Sequence, residues 1–147
     1  MHYQHTQKVP DNVMAVATLA GLAIGLTPPG LIARIATIGV MGAVGYSFRS
    51  LTVEVDDNEL RLQFGDGPIR KSFPLADVTG VKTTRTSPLS GWGMRFIGRG
   101  WLYNIYGLDA VELSLAGGKR VLVGTDEPDK LAAAINERPI VVSNISN

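Results

Sequence analysis

The sequence contains no cysteine, and its two histidines, His2 and His5, both lie near one end of the chain. The absence of cysteine excludes disulfide bonds, thiolate metal ligands and thiol nucleophiles. With histidine confined to a terminal segment, a general acid or base would have to be a carboxylate or a lysine with a perturbed pKa. The residue inventory therefore predicts a protein that is not an enzyme and that has no metal site and no cofactor.

Charged side chains are also scarce at the start of the chain. Residues 1–50 carry four of them, although charged residues make up 18% of the chain, and Arg34 is the one charge within residues 13–48. Pro28 and Pro29 interrupt this apolar stretch, because each lacks a backbone N–H and disfavours helix in the residue before it. The pattern predicts two apolar helices joined by a tight TPPG turn.

Each apolar arm has about 16 to 18 residues, or roughly 24–27 Å of helix, slightly short of a hydrocarbon core of about 30 Å, and two short spans are possible with local thinning of the bilayer or interfacial ends. Neither arm shows a polar stripe, and glycine and alanine recur at spacings that let helices pack closely within lipid. We therefore expect a transmembrane helical hairpin at residues 13–48, preceded by a polar tail at residues 1–12. Lys8 and Arg49 flank the hairpin and favour both termini in the cytoplasm. A buried hairpin in a soluble protein and a cleaved signal peptide are the alternatives.

From residue 50 onwards, apolar and polar residues alternate, as in strands with one buried face. Residues 51–55 and 60–64 predict a β-hairpin, and Gly117-Gly118 predicts a tight turn between two later strands. Further strands are expected at residues 69–73, 78–86, 108–115 and 120–124, and within the stretch between residues 91 and 106.

The last expected element is a helix that follows Asp126, a candidate N-cap, and has Pro128 in its first turn. About seven strands followed by one helix indicate an α+β fold. We expect residues 50–138 to form a bent antiparallel sheet or partial barrel that this helix closes, followed by a short tail at residues 139–147. Because strands and helices do not alternate, a parallel nucleotide-binding sheet is not expected.

Several segments of the chain resemble a known family. The series GWGMRF, GWLYNIYG, AVEL and VGTDEPDKLAAAI, following an apolar hairpin, is similar to small bacterial membrane proteins that carry a pleckstrin-homology-like (PH-like) domain. The resemblance covers about residues 13–137 and implies a multi-pass protein of the bacterial inner membrane. Eukaryotic relatives often bind phosphoinositides through basic residues in the first strand loop. Here that loop reads DDNE at residues 56–59, so this site is not carried over.

Residues 91–103, GWGMRFIGRGWLY, lie in a basic and aromatic window. No acidic residue occurs between Asp77 and Asp109, and five of the ten aromatic residues lie in this interval. Aromatic residues with cations are typical of membrane-interface contacts and of protein interfaces, although Trp101 and Tyr103 also alternate as the buried face of a strand would. A solvated basic loop without a function is a further alternative. The candidate lipid- or partner-binding residues are Lys82, Arg85, Trp92, Arg95 and Arg99.

These expectations combine into a membrane-anchored, non-catalytic interaction module whose PH-like domain contacts anionic lipid headgroups or a membrane-protein partner. Nucleic acid is not expected as a partner, because four cations make no extended basic face. Glycine-rich helix faces would also let copies of the chain pair into a homo-oligomer. The alternative is a soluble or peripheral scaffold protein whose apolar hairpin mediates oligomerisation.

Overall fold

The computed structural model describes residues 3–91, 93–98 and 100–137. This part of the chain contains three α-helices, which are α1 (Asp11–Gly25), α2 (Leu31–Ser47) and α3 (Pro128–Asn136). It also contains nine strands, which are β1 (Tyr3–Lys8), β2 (Ser50–Val55), β3 (Glu59–Phe64), β4 (Arg70–Pro74), β5 (Val78–Arg85), β6 (Gly93–Phe96), β7 (Gly100–Asn104), β8 (Asp109–Leu115) and β9 (Arg120–Gly124).

Helices α1 and α2 form a hairpin around the proline-containing turn. Gly30 has a φ of 92°, a conformation that glycine adopts without steric cost, and it lets the chain reverse into α2. The helices approach closely near the turn, where a Cβ on Gly25 would lie 2.4 Å from Cγ1 of Ile38. Glycine at position 25 therefore permits the close packing of the two helices.

The predicted transmembrane character of this hairpin is contradicted by the helix lengths. With 15 residues in α1 and 17 in α2, at about 1.5 Å per residue, each helix is shorter than a hydrocarbon core of about 30 Å. No helix in the described part of the chain is long and apolar enough to span a membrane. This finding contradicts the expected transmembrane hairpin at residues 13–48 and the expected multi-pass location in a bacterial inner membrane with cytoplasmic termini.

The strands form two open sheets. The first sheet has the order β1-β2-β3-β4 and is antiparallel throughout. The second has the order β5-β8-β9-β7-β6, and within it β7 pairs in parallel with β9. The predicted single seven-stranded sheet or partial barrel after an N-terminal hairpin is therefore wrong, because nine described strands divide into sheets of four and five, neither of which closes.

Strand β1 changes the position of the hairpin in the fold. Tyr3–Lys8 precede α1 and pair with β2, which follows α2, so the hairpin is inserted between two neighbouring strands. The expected polar tail at residues 1–12 instead contributes a strand at Tyr3–Lys8. The formation of β1 depends on pairing with the edge of β2, and no local pattern in residues 3–8 indicates that pairing. The two strands continue into backbone contact at the hairpin base, where Val9 N–H donates to the carbonyl of Arg49 at 3.0 Å.

Alternate residues of both sheets and one side of α3 share a single hydrophobic core. Phe64 links the hairpin to this core, since its ring contacts Phe48 at the end of α2 (5.1 Å between centroids) and Tyr103 (6.4 Å). Helix α3 packs against β5 and β8. The buried side chains of the core include Leu51, Val53, Val55, Leu60, Leu62, Phe64, Tyr103, Val111, Leu113, Val121, Val123, Leu131 and Ile135.

Candidate functional site

The helical hairpin carries most of the exposed apolar surface of the described residues. Continuous apolar patches of more than a few hundred Å² usually mark interaction sites. Helix α2 buries none of its residues. The hairpin therefore presents an apolar surface that a single chain leaves uncovered. Twelve of the sixteen exposed large hydrophobic side chains lie on it, namely Val16, Leu19, Leu22, Ile24, Leu26, Leu31, Ile32, Ile35, Val40, Met41, Val44 and Tyr46.

One face of α2 combines bulky side chains with glycines. Helical spacing places Ile32, Ile35, Gly39, Gly42 and Tyr46 along the same side of the helix, and we call this set the α2 stripe. Ile32 is 86% exposed and Ile35 is 62% exposed. A Cβ built on either glycine would meet no atom within 4 Å, so open space lies over both. The stripe is a shallow depression with an apolar ridge at each end.

An apolar groove with a volume of about 690 Å³ lies between the two helices at the base of the hairpin. Both helices form its walls, and residues from β6 and from the end of β7 close the side toward the sheets. Lining residues include Val13, Ala17, Leu22, Ile38, Phe48 and Ile105.

Among the described residues that line the groove, Arg49 is the one that carries a charge. Its guanidinium carbon lies 4.2 Å from the ring centroid of Tyr46, a cation–π contact, and its Nη2 pairs with a carboxylate oxygen of Asp66. In the sequence, Arg49 is notable only as a charge that flanks the predicted hairpin. Its place directly after an apolar arm was the available signal, but the groove beside it exists only after β1 and β7 assemble around the hairpin base.

The candidate binding residues that the structure describes are separated in the fold. Strand register aligns Arg95, Leu102 and Leu122 with Glu112 and Lys82, in one row across the second sheet. Arg95 and Lys82 therefore share a face but lie on its two edge strands, about 19 Å apart at the usual strand spacing. Arg85 is three residues from Lys82 on β5 and so projects from the other face. Trp92 and Arg99 lie outside the described residues.

Strand pairing also supplies the acidic residues that the basic window lacks in sequence. Lys82 Nζ lies 3.6 Å from Glu112 Oε1, and Arg85 Nε lies 3.1 Å from Asp109 Oδ1, both on β8. The local excess of positive charge seen along the chain is therefore reduced in the folded sheet. The binding role of the candidate residues stays a prediction.

The aromatic residues of the window divide between core and surface. Tyr103 is buried, as the strand alternation predicted. Trp101 is 48% exposed and packs edge-to-face on Phe96, which is 59% exposed, with ring centroids 5.8 Å apart. Phe96 and Trp101 pair at the end of the β6–β7 ladder, and neither belongs to the hydrophobic core. Trp101 and Tyr103 alternate along β7 as the sequence indicates, but of the two only Tyr103 is buried. Burial at the Trp101 end of the strand depends on what the opposite sheet covers.

A polar cluster joins β1 to the start of α3. His5 Nε2 lies 2.6 Å from Asp126 Oδ1, and Lys130 Nζ donates to Glu127 Oε1 at 2.6 Å. The hydrogen bond from Lys130 is the main cause that lowers the pKa of Glu127. Burial, and then the charge of Glu127, raise the pKa of Tyr3 to about 12. Asp126 was predicted to cap the helix and instead contacts β1, so this cluster ties the first strand to the last helix.

Within residues 3–91, 93–98 and 100–137, no group of three or more histidine and acidic side chains could hold a metal ion. The chain matches no protein-family model and no curated protein sequence. The resemblance to a PH-like domain therefore stays a prediction.

Proposed function

We propose that this protein is a non-catalytic interaction module that pairs with a second copy of itself through the α2 stripe. The observation that carries the proposal is the exposed stripe itself, in which two glycines with open space above them lie between large apolar side chains. This proposal develops the expectation that the hairpin mediates oligomerisation.

The shape of the stripe is self-complementary. In a two-fold symmetric dimer the same surface of each subunit meets its copy. The depression over Gly39 and Gly42 can then receive Ile35 of the partner, while Ile35 of the first copy enters the partner's depression. Small residues at such a crossing let helix backbones approach closely and gain dispersion contacts along their length.

The energetics favour a dimer of moderate affinity. Fully burying an apolar side chain contributes about 1.5–3 kcal/mol, so six half- to mostly exposed side chains from two stripes contribute on the order of 10 kcal/mol. Loss of translational and rotational freedom opposes association by roughly 4–15 kcal/mol. The difference leaves at most about 6 kcal/mol, so we expect a dissociation constant of about 50 μM or weaker, and the stripe contains no charged residue that would oppose pairing.

The earlier expectation of contact with anionic lipid headgroups has weaker support. Lys82 and Arg85 each have an acidic neighbour on β8, and together with Arg95 they lie on different faces and edges of the sheet. Electrostatic attraction to an anionic surface needs several unpaired cations close together. The hairpin offers the larger and more continuous surface, so self-association is the function that the geometry supports best.

Sedimentation velocity of the full chain over a range of concentrations tests the proposal. A Gly39→Leu variant fills the depression of the stripe, and because leucine is a better helix former than glycine, α2 itself should not be weakened. The matched control is Ala33→Leu, which adds leucine to an exposed position on the other side of α2.

We expect wild type and Ala33→Leu to dimerise with the same dissociation constant, and Gly39→Leu to dimerise at least tenfold more weakly. A wild-type chain that stays monomeric at about 500 μM, roughly ten times the expected constant, would overturn the proposal. Equal dimerisation by Gly39→Leu would also overturn it. So would a monomer that binds neutral lipid vesicles through the hairpin, since the apolar surface would then have a different occupant.

A further inference from the structure

The groove at the hairpin base points to a ligand-binding site that lies beside the α2 stripe and shares Gly42 and Tyr46 with it. We propose that it binds one single-chain amphiphile, a fatty carboxylate, with the acyl chain between α1 and α2 and the carboxylate at Arg49. The inference goes beyond the proposed function and does not rest on it.

The groove has the size and lining of a small-molecule site. Its volume of about 690 Å³ falls within the usual range of roughly 300–1,000 Å³ for such sites. These sites are mostly apolar, with a small number of polar groups that orient the ligand. In the part of the lining that the structure describes, the polar groups are Thr18, Tyr46 and Arg49, and the other residues are apolar or glycine.

The groove has an elongated form that suits a linear chain. Its wall on α1 extends from Val13 to Leu22, about 14 Å at the helical rise. On α2, Gly42 and Gly45 add no side chain and leave space within 4 Å of where a Cβ would stand. A flexible acyl chain can follow this path between the helices.

The positive charge of Arg49 at one end of the groove favours a ligand with an anionic head group. Arg49 is the one charged residue in the described lining, and its guanidinium has five N–H donors. Asp66 accepts from Nη2 alone. Asp66 lies on the turn after β3 with 71% of its side chain exposed, so it is a carboxylate that a ligand carboxylate can join or replace. The stacking of Arg49 on Tyr46 holds the guanidinium beside the groove.

Fluorescence titration of the full chain with parinaric acid, a fluorescent fatty acid, tests the proposal. Displacement of the probe is measured with dodecanoate, tetradecanoate and hexadecanoate, and with the alcohols of the same length. The comparison distinguishes the contribution of the acyl chain to affinity from that of the carboxylate. The variants are Arg49→Gln, which removes the cation, and Ala17→Phe, which fills the groove. Arg34→Gln is the matched control, because it removes the other arginine of the hairpin at its far end.

We expect saturable binding of one probe per chain. Each added methylene should tighten binding by about two- to fourfold, as expected for a partly buried chain. Carboxylates should bind about fivefold more tightly than the alcohols, and Arg49→Gln should abolish that preference. Asp66→Asn removes the competing carboxylate and should tighten carboxylate binding. Arg34→Gln should bind as wild type does, and Ala17→Phe should lose binding.

Binding at several equivalents per chain would overturn the proposal, because it would indicate general adsorption to the apolar hairpin. Equal affinity for acids and alcohols, or an unchanged preference in Arg49→Gln, would overturn the assignment of the head to Arg49. The Gly39→Leu variant should bind the probe normally, because Gly39 does not line the groove. Failure of this proposal and failure of self-association are therefore distinguishable, and circular dichroism confirms that each variant is folded.

Discussion

A Gly124→Ala substitution should lower the free energy of unfolding by at least about 3 kcal/mol, because the added methyl group collides with the side chain of Asn104. A Cβ at position 124 would lie 2.2 Å from Asn104 Oδ1 and 2.6 Å from its Cγ. Asn104 is 1% exposed and has no free space into which it can turn without breaking its hydrogen bonds. The turn after β7 depends on those bonds.

The magnitude follows from two contributions. Forcing an extra methyl group into a packed site costs about 1–3 kcal/mol. Displacing Asn104 also breaks the bond from its Nδ2 to the carbonyl of Gly107 (3.0 Å) and the bond from the N–H of Tyr106 to its Oδ1 (3.2 Å). Each buried group left without a partner costs about 1–3 kcal/mol.

Urea denaturation of the full chain measures the effect. The matched control is Gly80→Ala, another strand glycine, where a Cβ would lie at an ordinary 3.7 Å from Ser114 and should change stability by less than about 1 kcal/mol. In an Asn104→Ala background the contacts with Oδ1 and Cγ are gone and the 2.9 Å contact with Cβ remains, so adding Gly124→Ala should cost clearly less than it does in wild type. A loss below about 1 kcal/mol for Gly124→Ala in wild type, or full additivity with Asn104→Ala, would refute the reasoning.

Two further predictions concern ionisable groups. Because the pKa of Tyr3 is raised to about 12, and the unfolded residue ionises near 10.0, its contribution to stability is complete below pH 10 and is lost as the pH rises toward 12. Melting temperatures measured from about pH 9 to 12 should therefore fall less steeply for Tyr3→Phe than for wild type, and parallel curves would contradict this. Glu112 is mostly buried between Lys82 (3.6 Å) and Arg120 (3.5 Å), so Glu112→Gln should cost about 1 kcal/mol in urea denaturation and less at high salt. An unchanged midpoint at low salt would show that the two ion pairs do not stabilise the sheet.

Much of the secondary structure could be predicted from local patterns. The double proline and Gly30 mark the break between α1 and α2, and period-two alternation marks β2 and β3. The tight turn at Gly117-Gly118 joins β8 to β9, and both glycines have a positive φ. These signals are readable because they depend on neighbours in sequence and on backbone conformation.

The candidate site could be predicted only in part, because its electrostatics depend on strand pairing. Lys82 and Arg85 lie in a stretch without acids, yet the register of β5 with β8 places Glu112 and Asp109 beside them. The partners are more than twenty residues away along the chain. A charge count along the sequence therefore predicted a basic surface whose positive charge is reduced at Lys82 and Arg85 by strand pairing.

The apolar hairpin illustrates the same division. Its apolar composition and its tendency to form two helices can both be predicted from the sequence, because apolar content and helix formation are local properties. Its insertion between β1 and β2, the groove beside Arg49 and the open space over Gly39 are consequences of tertiary structure. These depend on which distant segments pair and how closely they pack, and hydrogen bonds between strands and contacts between side chains are decided only when the whole chain has folded.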